Sequence, residues 1–145
     1  MEVFYLNLGN GWPEETEMAV EYKVTELIDR AHRLATVTPV NEVASYLQKL
    51  LSRSITAYMA GVKEGRTVTR WANSEITDVR YESEQRLRTA YEIAQLIGEY
   101  YSPEVARAWF MGYNSRLGQI TPADAIHEGQ LSEALSAAQA FVVIE

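Results

Sequence analysis

Apolar residues in this chain recur at three- and four-residue steps along most of its length, and that period commits it to helices. Val40, Val43, Leu47, Leu50 and Leu51 make one such stripe, with Lys49 and Arg53 lying off it, and Leu87, Ala90, Tyr91, Ala94 and Ile97 make a longer one. This spacing stacks side chains on one face of an α-helix, whereas a half-buried strand needs strict alternation. The expected fold class is all-α. Pro13 with Glu14, Glu15 and Glu17 opens a first helix reaching about Ala35, with proline at the first helical position and negative charge at the positive end of the dipole. Thr38-Pro39 opens a second. Further helices are expected over Ile55–Ala60, Arg66–Ser74, Glu82–Tyr100, Val105–Met111 after Ser102-Pro103-Glu104, from Thr121-Pro122 to Gly129, and over Leu131–Val143. Gly61, Gly112, Gly118 and Gly129 mark the turns. Val3–Leu8 reads either as a short strand or as an apolar lead-in, broken by Gly9-Asn10-Gly11.

Eight short helices in 145 residues leave no room for a large independent domain, so their parts are expected to share or abut cores. The chain has no cysteine, and its only histidines, His32 and His127, are far apart, which excludes disulfides, zinc fingers and thiol chemistry. No metal and no cofactor are expected. No run approaches the roughly 18 apolar residues of a membrane span, and Met1-Glu2 lacks a secretory start, so the expected address is the cytoplasm. Nor is an enzyme expected, and no catalytic residue is assigned. The acidic pairs Glu14-Glu15 and Glu82 with Glu84 sit in polar, exposed contexts, and His127 reads as a surface or helix-end residue. There is no glycine-rich phosphate loop and no nucleophile elbow.

The net charge of −7 argues at first against nucleic acid, but it is unevenly spread. Residues 1–48 and 91–145 each carry −5, and residues 49–90 carry +3. Such asymmetry suits a middle segment that meets a polyanion, with chance clustering as the plain alternative.

Within that segment lies Ala57-Tyr58-Met59-Ala60-Gly61-Val62, followed by Lys63-Glu64-Gly65-Arg66-Thr67-Val68-Thr69-Arg70-Trp71. A helix-turn-helix needs a small residue where its helices cross, a glycine able to take positive φ, and apolar residues seating the second helix. Ala57, Gly61, Val62, Val68 and Trp71 fill those roles in order. Arg66, Thr69, Arg70 and Asn73 then share one face, and Val68, Trp71 and Ala72 occupy the other. Arginine reads guanine, asparagine reads adenine, and threonine contacts phosphate or a thymine methyl. Lys49, Arg53 and Lys63 supply phosphate contacts, and Thr67 belongs to the same DNA-binding set. The plain alternative is a solvated face on an ordinary helical hairpin; Trp71 reads as core.

This stretch resembles the helix-turn-helix of Xre-type regulators, with Ala-x-x-x-Gly-Val followed by Val-x-x-Trp. Between Val62 and Val68 it holds one residue more than the commonest form, which lengthens the turn. Further on, Trp109, Asn114, Leu117, Gly118, Pro122, Ile126 and Gly129 precede an alanine-rich helix. That order resembles the toxin-binding C-terminal domain of Xre/MbcA/ParS-like antitoxins, the likeness covering about residues 42–143. Asn114 also suits a helix C-terminus, Pro122 a helix start and Gly129 a helix end on purely structural grounds.

Residues 1–38 lie outside the likeness and are expected to form an N-terminal arm; the resemblance implies a helix-turn-helix DNA-binding module over 39–101 and a C-terminal toxin-binding module over 102–145. It implies a transcriptional repressor, dimeric because such proteins read paired half-sites of double-stranded DNA, with a protein toxin, often of the RES type, as second partner. The alternative is an antitoxin acting mainly by neutralising that toxin. Trp109, Asn114, Phe141 and Ile144 are the candidate partner-binding residues. The closing Phe141–Glu145 is either a frayed helix end or a plug for a partner's cleft. Residues 1–38 either pair two copies or cover the core.

Overall fold

The computed structural model describes the backbone of residues 12–144 and the side-chain surroundings of residues 23–143. The Val3–Leu8 segment and its glycine break lie outside the described residues. The α-helices are α1 (Trp12–Val37), α2 (Val40–Leu50), α3 (Arg53–Ala60), α4 (Gly65–Ala72), α5 (Tyr81–Tyr100), α6 (Pro103–Met111), α7 (Pro122–His127) and α8 (Leu131–Ile144). A short 3-10 turn spans Ser115–Leu117. The chain is all-α, and the described residues contain no strand beyond one isolated bridge between Asn114 and Ile120.

The helix limits follow from local chemistry. Ser52, Ser102 and Thr121 cap α3, α6 and α7, their hydroxyls accepting from the backbone N–H of Ile55, Val105 and Asp124. Pro103 and Pro122 occupy first-turn positions, where the missing N–H costs nothing. Gly61 ends α3 at φ 83°, with Val62 N–H donating to the Ala57 carbonyl and Gly61 N–H to that of Tyr58. That is the bonding of a Schellman cap, which needs a residue tolerant of the left-handed region.

One correction falls on Asn114, expected at a helix C-terminus. Helix α6 already ends at Gly112, and Asn114 begins the 3-10 turn, its side-chain oxygen accepting from Arg116 N–H at 2.9 Å. Gly118, at φ 77°, ends that turn. Asparagine serves at either end of a helical element, because its side chain mimics a backbone acceptor and its backbone tolerates left-handed φ.

Helix α5 is the hub. Leu87, Ala90, Ile93, Ala94, Leu96 and Ile97 are all essentially inaccessible, around more of its circumference than one stripe covers. Helices α1, α2, α3, α6 and α8 pack around it, and α7 touches it as well. Val24, Leu27, Ala31 and Ala35 set α1 against it, while α2 also seats α4. Buried residues from all eight helices belong to one continuous core.

Three guanidinium groups tie helix ends together. Arg88 donates to the carbonyls of Ala35 and Thr38 at 2.8 Å each and pairs with Glu84 at 2.8 Å. Arg107 donates to the Leu50 carbonyl at 2.8 Å, and Arg86 to that of Ile126 at 3.0 Å. A cation at a helix C-terminus meets both unpaired carbonyls and the negative end of the dipole. Arg86 and Arg88, two of the six arginines in the basic segment 49–90, therefore serve the fold.

Candidate nucleic-acid interface and partner cleft

Helix α4 stands on two residues. Val68 is fully buried and Trp71 is 4% exposed, so the opposite face is held outward. Trp71 is core, as its spacing predicts. Arg66, Arg70 and Asn73 are exposed, and Thr67 and Thr69 are half-buried. The α-helix ends at Ala72 rather than Ser74, but Asn73 N–H still bonds to the Thr69 carbonyl, which keeps Asn73 within the same winding. Four residues, Gly61 to Glu64, join α3 to α4, the length usual for two helices joined across a tight turn.

Lys49 at the end of α2, Arg53 at the start of α3 and Lys63 in the turn are all exposed. Among the described residues, none of Lys49, Arg53, Lys63, Arg66 or Arg70 pairs with a carboxylate. Glu64, Glu75, Asp78 and Glu82 are exposed in the same stretch, so the surface is mixed with a cationic excess rather than uniformly basic.

Gly65 brings Arg53 close to the start of α4. A Cβ at position 65 would stand 3.0 Å from Arg53 Cγ and 3.4 Å from Cδ, so the bare glycine is what lets the arginine stem lie there. Gln48 was not among the residues expected from sequence. Its side-chain oxygen accepts the Thr69 hydroxyl proton at 3.1 Å, linking α2 to the outward face of α4. A polar residue off an apolar stripe carries no local sign of such a contact.

The second cluster sits where α3 meets α7. Tyr58 donates its hydroxyl to Asp124 at 2.7 Å, and its ring stacks on His127 with centroids 4.1 Å apart and planes within 7°. His127 Nδ1 donates to the Tyr58 carbonyl at 2.6 Å; a carbonyl only accepts, so the proton sits on Nδ1. The hydrogen bond to Asp124 pushes the Tyr58 pKa up to about 12. The same bond holds Asp124 below the ordinary carboxylate range. These shifts keep the phenol protonated and the carboxylate charged, the states that latch α7 onto α3.

A third feature is a cleft of about 410 Å³, lined by Tyr101, Trp109, Tyr113, Asn114, Arg116 and Phe141 among others. Three of the four expected partner-binding residues, Trp109, Asn114 and Phe141, come together here; the side chain of Ile144 lies outside the described ones. The Phe141 ring lies 5.1 Å from that of Tyr101 and 6.3 Å from that of Trp109. Tyr113 is 80% exposed at the rim. Tyr101, Tyr113 and Arg116 complete a wall that sequence spacing does not reveal. No group of three or more potential metal ligands is found among the described residues.

No family model matches the chain, and neither a curated protein nor a solved structure does.

Proposed function

We propose that this protein is a sequence-specific DNA-binding transcriptional repressor of the Xre antitoxin type, reading the major groove with α4 and acting in the cytoplasm. One observation carries the reading: α4 is seated by Val68 and Trp71, so that Arg66, Arg70 and Asn73 face outward, with Lys49, Arg53 and Lys63 also exposed and pairing with no described carboxylate. An exposed arginine offers two parallel donors to guanine, and lysines around a reading helix hold the phosphates that set its register. A homodimer would place two such helices about one turn of duplex apart, roughly 34–36 Å. Residues 39–101 are the DNA-binding module in this reading.

The test is a gel shift of the full chain against its own upstream region at low salt. Retarded duplex, lost when Arg66 and Arg70 are both replaced by alanine, is the expected result. Absence of binding at low salt, or binding indifferent to both substitutions, overturns it.

A second reading is favoured by the aromatic cleft: residues 102–145 would dock a toxin, with Trp109, Asn114 and Phe141 as contacts. Rings gathered in an open groove supply much contact area at low entropic cost. Co-purification with the product of the neighbouring gene tests this. A complex that forms with the native chain and fails with Trp109→Ala supports it; failure of the native chain to form one rejects it.

A further inference from the structure

Resting on the DNA-reading proposal, we infer that Gln48 and Thr69 form one composite reading unit that selects adenine in the major groove. Thr69 spends its hydroxyl proton on the Gln48 side-chain oxygen at 3.1 Å. What remains free is therefore complementary on the two sides: the threonine oxygen keeps its lone pairs and the Gln48 amide keeps two N–H donors. Both residues are half-buried, so the pair keeps surface to present. Thr69 lies on the same face of α4 as Arg66, Arg70 and Asn73, which places the unit among the outward-facing polar residues of that helix.

An acceptor beside a donor matches one base edge. Adenine presents N7 as acceptor and the N6 amino group as donor; guanine presents two acceptors, and thymine an acceptor and a methyl group. The amide of Gln48 donates to N7, and the Thr69 oxygen accepts from N6. With guanine the threonine lone pairs would face O6, two acceptors in apposition. A glutamine alone matches adenine by turning its own oxygen to N6; here that oxygen is turned to the Thr69 hydroxyl, so the threonine oxygen takes its place. A free threonine hydroxyl rotates to donate or accept, and the bond to Gln48 is what fixes it as an acceptor. Gln48 thus acts both as a contact and as the group that sets the polarity of Thr69.

The experiment selects duplexes from a random pool with the full-length protein and with Gln48→Ala, Gln48→Glu and Thr69→Val, each first shown by thermal melting to fold. The native chain is expected to enrich one position for adenine by roughly tenfold or more over guanine. Gln48→Ala and Thr69→Val should each abolish that preference while leaving the others intact. Gln48→Glu retains the acceptor for Thr69 but has no donor left, so it should lose adenine and gain cytosine, whose N4 amino group a carboxylate accepts. Replacing the selected adenine by 7-deazaadenine should weaken the native protein and leave Gln48→Ala unaffected. Unchanged base preferences in all three variants overturn the inference and leave DNA reading standing. A native chain that enriches no duplex overturns the DNA reading, and this inference with it.

Discussion

The exposed cations around α4 can be sorted into phosphate contacts and base contacts by a salt titration of single-alanine variants. Lys49, Arg53, Lys63, Arg66 and Arg70 are exposed and pair with no described carboxylate, so replacing any of them should change stability by only about 0.5 kcal/mol. Each phosphate contact contributes about −0.9 to the slope of log affinity against log salt. Raising salt fourfold, from about 50 to about 200 mM, therefore costs about 3.5-fold in affinity per contact and about 500-fold per protomer if all five side chains meet phosphate, the square of that for a homodimer. Arg53→Ala and Lys63→Ala should each flatten the slope by about 0.9 per protomer, about 1.8 for a homodimer, and weaken cognate and random duplex alike. Arg70→Ala, as a base contact, should instead cost about 1–3 kcal/mol on cognate duplex, leave random duplex unaffected and barely alter the slope. Fluorescence anisotropy at four or five salt concentrations measures both quantities. The reasoning is refuted if the slope is the same for the native chain and all five variants. A loss of more than about 1 kcal/mol in unfolding free energy for any of them would equally show that its side chain serves the fold.

Three further substitutions probe the frame. Gly61→Ala would meet only Arg86 Nη1, at 3.9 Å, so its cost is backbone strain at φ 83°, about 1–2 kcal/mol by chemical denaturation; a stability equal to native would contradict the cap. Gly65→Ala presses on the flexible Arg53 stem at 3.0 Å, and is expected to leave the melting temperature nearly unchanged while lowering the salt slope as Arg53→Ala does. Tyr58→Phe removes the bond to Asp124 and should lose about 1 kcal/mol at neutral pH, allowing for solvent screening. Because Asp124 is held low, that difference is present above the ordinary carboxylate value of 3.8 and fades as pH falls through the lowered one. On the alkaline side it is full below the ordinary tyrosine value of 10.0 and fades as pH rises through about 12. Urea unfolding of both proteins between pH 3 and pH 8 checks the acid limb; a constant gap across that range would refute the assignment.

By itself the sequence determined the helices, the turn at Gly61 and which face of α4 is buried. Each is decided within a few neighbouring residues: apolar steps of three and four, a capping hydroxyl, a proline at a helix start, a glycine where φ turns positive. Asn114 shows the limit of that local reading, since the same residue suits either end of a helical element and only the position of Gly112 and the turn beyond it decides between them. Tertiary structure alone decided which charges are free. Arg86, Arg88 and Arg107 look in sequence like the cations of α4, yet they close the ends of α7, α1 and α2, because those carbonyls arrive from 40 to 57 residues away. The same holds for Gln48 on Thr69, for Tyr58 on Asp124, and for the cleft that gathers rings from α6 and α8. Periodicity tells a side chain which way to face; what it meets there depends on how helices from distant parts of the chain pack around α5.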